Sequence, residues 1–271
     1  MMRARTGFTV NAVFITHWHA DHFLGVFGLV ETLAFMGRTD PLPVYGPPWV
    51  GEFVDLVQKI SRHTRGGFSV TAHPPLEHGS VVPFNGYTVR AFATLHGIPP
   101  GLGYVLEEDE RPGRFNRERA IELGVPPGPL FGRLQRGGEE VRIVRDGTEA
   151  AVRPGDVMGE SRPGRKIVYT GDTRPLQDQP DTAAMIRDAD LLIHDATFDD
   201  QESDRARDVL HSTAGEAGEA ATALGARMLA LMHISSRYAS TANHIRDAKR
   251  QYEGDVILPA DLAVLEIPYR S

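Results

Sequence analysis

The chain contains no cysteine. That excludes disulfides and thiolate metal sites, leaving histidine, aspartate and glutamate as the side chains able to hold a metal. Lysine is nearly absent, with three against 26 arginines. No run approaches the roughly 18 apolar residues of a membrane-crossing helix. Met1 to Arg5 lead into a strand without a signal-peptide pattern. These absences suit a cytoplasmic protein with no membrane partner. A net charge of −7 argues against indiscriminate nucleic-acid binding. No G-x-G-x-x-G follows a strand, which excludes a dinucleotide-binding unit. What remains is 271 residues, 41% apolar, enough to bury a full core in one domain or two small ones.

The densest chemistry lies in Ala12-Val13-Phe14-Ile15-Thr16-His17-Trp18-His19-Ala20-Asp21-His22. The apolar start reads as a buried strand. It stops on four histidine and aspartate side chains within six residues, a set that repels or titrates badly unless a cation sits among them. Two divalent ions supply that charge, and zinc suits nitrogen with some oxygen. His17 and His19 point the same way from an extended backbone and can grip one ion. Asp21 and His22, where the chain turns into a helix, can hold the second.

Further along, helical spacing covers Phe23 to Met36, ending at Gly37, and Pro47-Pro48 opens a second helix through Ile60. Strands are expected at Leu42–Tyr45, Phe68–Ala72, Ser80–Phe84, Tyr87–Leu95 and Gly103–Glu107. Between Arg111 and Arg145, eight arginines face four acids, a local +4 against −11 for the remainder. Its Pro and Gly clusters forbid a long regular element. The α/β rhythm resumes with strands at Lys166–Thr170, Asp190–Ile193, Arg227–Met232, Asp255–Leu258 and Leu262–Ile267. Helices are expected at Thr182–Asp188, at Thr213–Leu224 and from Thr241. Several strands end on a potential ligand: His17, His96, His233, and Asp172 just past Thr170. Strand ends on one rim of a sandwich can converge on a single cleft.

The spacing H-x-H-x-D-H is that of the metallo-β-lactamase superfamily, and its surroundings resemble the ribonuclease Z family, endonucleases that trim the 3′ end of precursor tRNA. Phe14 to His17 running into Leu24-Gly25-Val26-Phe27-Gly28-Leu29 is similar to that family. So are His96-Gly97-Ile98 with Gly103-Tyr104, and Arg111-Pro112-Gly113-Arg114-Phe115. Thr170-Gly171-Asp172-Thr173-Arg174-Pro175, Ala196-Thr197-Phe198, His211-Ser212-Thr213 and His233-Ile234-Ser235-Ser236-Arg237-Tyr238 complete the likeness, which spans positions 12 to about 267.

The resemblance implies an α/β fold, the four-layer αββα metallo-β-lactamase sandwich, as one domain over 1–271 with a flexible tRNA-binding arm inserted at about 108–165. It implies two Zn2+ per chain: His17, His19 and His96 on one, Asp21, His22 and His233 on the other, and Asp172 bridging. The implied reaction is hydrolysis of one phosphodiester, leaving a 3′-hydroxyl on the tRNA and a 5′-phosphate on the trailer. Asp21 resembles the family's general base and His211 its proton donor. Asp195, in His194-Asp195-Ala196-Thr197, stands where many relatives carry a glutamate associated with that histidine, one methylene longer. Ser235, Ser236 and Arg237 are candidates for the phosphate near the scissile bond. Gly128-Pro129 resembles the turn of the arm that grips the tRNA elbow, and a homodimer is implied. His194 reads as structural; His63, His73, His78 and His244 read as surface or structural.

The family normally begins with a Gly-rich strand-loop, a hairpin and an Asp-Cys-Gly-Glu-Gly segment, whereas Met1-Met2-Arg3 resembles the tail of the helix after them. The first strands are therefore expected to be missing, leaving the apolar strand Val13–Thr16 uncovered where it should have a neighbour on each side. Two other readings compete. One is another metallo-β-lactamase hydrolase, such as a small-molecule phosphodiesterase or glyoxalase II. The other is an RNA-binding remnant that no longer cleaves.

Overall fold

A computed structural model describes residues 10–61, 68–97, 101–145 and 148–270; Met1 to Arg5, His63 and Ile98 lie outside them. The first elements are β1 (Val13–Phe14), α1 (Ala20–Phe23), α2 (Gly25–Phe35), β2 (Leu42–Tyr45), α3 (Val50–Ser61) and β3 (Val70–Ala72). Then come β4 (Val81–Phe84), β5 (Tyr87–Ala93), β6 (Leu102–Glu108), α4 (Arg117–Glu122), α5 (Pro129–Gly132), β7 (Val141–Arg145), β8 (Thr148–Val152) and α6 (Pro154–Val157). The last are β9 (Lys166–Tyr169), α7 (Pro180–Ile186), β10 (Leu191–Asp195), α8 (Ser203–Asp208), α9 (Ala214–Ala223), β11 (Met228–Met232), α10 (Ala242–Gln251) and β12 (Asp255–Ile257). Residues 108–164, with Arg270, form one compact unit and the rest of the chain another.

In the larger unit, side-chain alternation builds four layers. β1, β2 and β3 form a small parallel sheet, and β12-β11-β10-β9-β6-β5-β4 form a second of seven strands. Ile15, Leu42 and Val44 face outward onto α2 and α3, whose buried Val26, Val30 and Leu33, and Val50, Phe53, Val54 and Val57, follow helical spacing. Between the sheets lie Phe14, Val89, Ala91, Leu102 and Tyr104. Phe92, Val105 and Val168 point the other way, into a core completed by α7, α9 and α10. Small residues let α9 approach closely, since a Cβ on Gly218 would stand 2.5 Å from the Ala248 carbonyl oxygen.

Because β9, β10 and β11 are parallel, their C-terminal ends reach one edge together, carrying Asp172, Asp195 and His233 toward it. β5 ends at the same place: the Leu95 N–H donates to Thr173 Oγ1 at 3.0 Å, and the Arg174 N–H to the Leu95 carbonyl at 3.2 Å. β1 pairs with β2 on one side only, so the expected neighbour on each side is not found among the described residues. Beyond β1, the Ile15 carbonyl accepts from the Tyr104 hydroxyl and the Thr16 carbonyl from the Leu102 N–H at 2.8 Å.

The strand expected at Leu262–Ile267 does not form. A turn at Ala260–Ala263, with Leu262 at φ 68°, takes the chain off the sheet. Arginines take the tail's carbonyls instead: Arg165 reaches Ile267 at 3.3 Å and Arg227 reaches Pro268 at 3.4 Å.

The smaller unit has its own core of Ala120, Val125, Leu134, Val141, Ile143, Val152 and Val157, built by short helices and the hairpin β7–β8. Over 108–164, ten arginines meet eleven acids, so the local +4 does not extend to the unit. Several arginines are paired at the surface, as in Arg119–Glu122 at 3.0 Å and Arg133–Glu139 at 3.1 Å.

Candidate metal centre

Strand ends and the start of α1 gather six potential ligands around one carboxylate, that of Asp172. Asp172 Oδ2 lies 3.2 Å from His22 Nε2, 3.5 Å from His233, 3.7 Å from His17 and 3.9 Å from His96. His19 Nδ1 stands 3.2 Å from His96 Nε2, and Asp21 Oδ2 lies 3.4 Å from His22 and 3.8 Å from His233. Two groups could each hold an ion: His17, His19, His96 and Asp172, and Asp21, His22 and His233. A third possible group joins Asp172, His211 and His233.

Local backbone geometry sets these positions. Gly171, at φ 63°, makes the turn that aims Asp172, with Thr16 too close for a larger residue to enter freely. His233 and Leu210 adopt φ of 61° and 60°, conformations costing about 1–3 kcal/mol that surrounding structure must impose. The Leu210 carbonyl is 2.9 Å from His96 Nδ1. A carbonyl only accepts, so His96 carries its proton on Nδ1 and presents a bare Nε2 to the centre.

Thr197 likewise sets a proton on His233 Nδ1. Its hydroxyl gives its one proton to Asp195 Oδ1 at 2.7 Å and therefore accepts from His233 Nδ1 at 2.8 Å. His233 Nε2 then faces two carboxylates, Asp172 at 3.5 Å and Asp21 at 3.8 Å. Lone pairs opposed in this way require a proton or a cation between them. His17 Nε2 and Asp172 Oδ1 are also buried without a hydrogen-bond partner. The donor set, imidazole nitrogen with carboxylate oxygen, fits zinc.

Electrostatics agree. Burial, then the neighbouring imidazoles led by His22, press the His17 pKa down to about 4, against a raising effect of Asp172. Burial would raise Asp172, but the His22 hydrogen bond and the charges of His233, His22 and His211 prevail and hold it at about 2.

Beside the centre, Asp195 is buried and fully engaged. It accepts from the Thr173 N–H at 3.0 Å, the Thr197 N–H at 2.9 Å, the Thr197 hydroxyl, and His211 Nδ1 at 2.7 Å. Aspartate therefore reaches His211 despite its shorter stem. Burial lowers the His211 pKa, but the Asp195 hydrogen bond and charge outweigh it and raise the imidazole above its ordinary value. The Arg174 guanidinium donates to the His211 carbonyl at 2.6 Å and pairs with Glu216, which also closes a capping box with Thr213 at the start of α9.

Ser235 and Arg237 touch each other at 3.1 Å, and Arg237 lies 5.1 Å over the Phe198 ring; Ser236 is exposed. Gly128 and Pro129 are exposed at the start of α5 in the smaller unit. His194 is fully buried, with Nδ1 2.8 Å from the Asp195 carbonyl; His244 is also buried, while His73 and His78 are exposed. Thr173, Thr197 and Arg174 carry no role that sequence reasoning assigned. Their only signal in the sequence is their place beside Asp172 and Asp195.

The fold and this centre define a metallo-β-lactamase-type protein: the family described as "Beta-lactamase superfamily domain" matches residues 3–115 and 141–234. The ribonuclease Z of Methanosarcina acetivorans is 49% identical over 275 residues, covering 100% of this chain and 85% of that protein. That of Halorubrum lacusprofundi is 48% identical, covering 99% and 84%. The chain belongs to the ribonuclease Z family. Its fold is also similar to that of the short form of human tRNase Z, at TM-score 0.65 and 24% identity over 98% of this chain and 83% of that one.

Proposed function

We propose that this protein is a zinc-dependent endoribonuclease that removes the 3′ trailer from precursor tRNA in the cytoplasm. The observation that carries this is the pairing of a cation-demanding ligand cluster with a separate, proton-bearing His211. His17, His19 and His96 would hold one zinc, Asp21, His22 and His233 the other, with Asp172 shared. When bound, the zincs would supply Lewis acidity toward the phosphate and make the attacking water more acidic.

The chain's own groups do the rest. Asp21, at the exposed mouth of the centre, orients the attacking water and takes its proton. Asp195 fixes the His211 Nδ1 proton, so Nε2 faces the cleft and delivers a proton to the leaving ribose oxygen. Ser235, Ser236 and Arg237 would steady a neighbouring phosphate. The arm at about 108–165, with its Gly128-Pro129 turn, would grip the tRNA elbow through shape and backbone.

A homodimer follows the same reading. Phe35 is 89% exposed, and Met36, Leu56 and Ile60 about half exposed, on helices that a second copy would cover. Among the described residues no helix is long and apolar enough to cross a membrane.

The test is incubation of purified protein with a 3′-extended tRNA and analysis of the cut ends. A single cut leaving a 3′-hydroxyl on the tRNA and a 5′-phosphate on the trailer, lost with chelator, supports the proposal. An uncut RNA beside active hydrolysis of small phosphodiesters favours the small-molecule reading.

A further inference from the structure

Trp49 occupies a backbone state that its side chain resists. Its φ is 78°, in the left-handed region that glycine adopts freely and a bulky residue does not. The indole is 55% exposed and makes no hydrogen bond or ring contact among the described residues. A strained backbone therefore holds a large aromatic half in water, without a hydrogen bond or ring partner among the described residues. Such outliers gather where a side chain has a task.

Its position supplies one. β1 and β2 are parallel, so the loops that follow them leave the sheet at the same edge. The loop after β1 carries His17 and His19. The loop after β2 is Gly46-Pro47-Pro48-Trp49, and the Trp18 indole N–H ties the two together by donating to the Pro48 carbonyl at 2.7 Å. Trp18, between His17 and His19, also packs on Phe23 and Phe53, with ring centroids 5.7 and 5.3 Å away. Trp49 is thus an exposed aromatic on the loop bonded to the one that carries His17 and His19, one residue from the carbonyl that anchors Trp18.

An RNA cut at this centre must leave unpaired nucleotides beside the scissile bond, and unpaired bases are held by stacking on aromatic rings. We infer that Trp49 is a base-stacking subsite for an unpaired nucleotide flanking the scissile phosphodiester. The inference rests on the proposal that the substrate is RNA. Stacking accepts any base, so Trp49 adds affinity at one nucleotide position with little sequence preference.

The test compares wild type with Trp49→Ala, Trp49→Phe and Trp49→Gly on a 3′-extended tRNA and on versions carrying one abasic nucleotide near the cut. Trp49→Ala should raise KM about 5- to 150-fold with kcat little changed, while Trp49→Phe keeps most of the affinity. With the base removed at the one position that stacks, wild type and Trp49→Ala should become equal. Trp49→Gly should bind RNA as poorly as the alanine variant yet melt at a higher temperature, because the backbone strain is gone.

A wild-type KM in Trp49→Ala overturns the inference, as does a KM loss that no abasic position cancels. So does a change in sedimentation that accounts for the loss, since that places Trp49 between two copies of the chain. A wild-type protein that leaves the tRNA uncut refutes the RNA reading of the site instead. Binding of the RNA, read by quenching of indole fluorescence that Trp49→Phe abolishes, then still decides the stacking.

Discussion

Two sets of polar side chains meet in the cleft, and their internal bonding differs. Around Asp195, donors match acceptors: two backbone N–H groups, the Thr197 hydroxyl and His211 all serve one buried carboxylate. Around Asp172, four imidazole nitrogens stand within 3.9 Å of one carboxylate oxygen, and two buried atoms, His17 Nε2 and Asp172 Oδ1, have no partner. The first set is complete as a protein structure. The second is complete only with cations added, and Thr197 joins the two by bonding to Asp195 and His233 at once. On the proposed reading the two sets have different tasks, the incomplete one to hold metal and the complete one to hold a proton in place.

The most damaging substitution should therefore be Asp172→Ala. It removes the carboxylate that faces four imidazoles, so metal content should fall and cleavage become undetectable while tRNA binding persists. Two zincs per chain and normal turnover in this variant would dismiss the shared-ligand assignment. His211→Ala should keep its metal yet lose roughly 10²–10⁴-fold in the chemical step. If metal left with the imidazole, His211 would belong to the ligand set, as the group of Asp172, His211 and His233 permits.

Thr197→Val keeps the volume and deletes the link. Loss of an outer partner of a ligand costs about 10–100-fold in metal affinity or activity, and Thr197→Ser should restore most of it. Chelator competition alongside rate measurements would show whether both sets suffer together.

Acid should expose the same contrast in metal-free protein. His17 has a folded pKa of about 4, below its ordinary 6.5, so the unfolded chain binds more protons between those values. Stability from this group is present above pH 6.5 and lost as pH falls toward 4. Melting temperature of the chelated protein should drop across that window, and His17→Gln should blunt the fall. An equal drop in both would place the sensitivity elsewhere.

The smallest effect is expected from the arm. Changing Arg114, Arg117 and Arg136 to Gln together should weaken tRNA binding and reduce its salt slope by about 0.7–0.9 for each phosphate no longer neutralised. With ten arginines against eleven acids in the unit, the field is local and the weakening modest. An unchanged slope would remove these arginines from the RNA interface.

Much of the centre was legible because its ligands follow strands. Apolar runs ending at His17, His96 and His233, and just before Asp172, announced strand ends, and strand ends share a rim. Most strands and covering helices were legible from alternation and helical spacing, while their assembly into two sheets was implied by the family resemblance. What escaped depended on tertiary geometry. Thr197 and Thr173 are ordinary threonines until β9 and β10 lie side by side. Trp49 reads as the first turn of a helix until its φ is known. The strand at Leu262–Ile267 failed because alternation shows which side chains could face a core, and cannot show that a turn has taken the segment off the sheet. The arginine excess over 111–145 is real but stops short of the acids at either end of its unit.

On the proposed reading, the Asp172 cluster is built around two cations. Elemental analysis of purified wild-type protein loaded with zinc tests it most directly, paired with the cleavage rate as metal is titrated back into chelated protein. Two zincs per chain are predicted, with cleavage of 3′-extended tRNA returning as the sites fill. A chain that binds none and still cuts the RNA at full rate would contradict it.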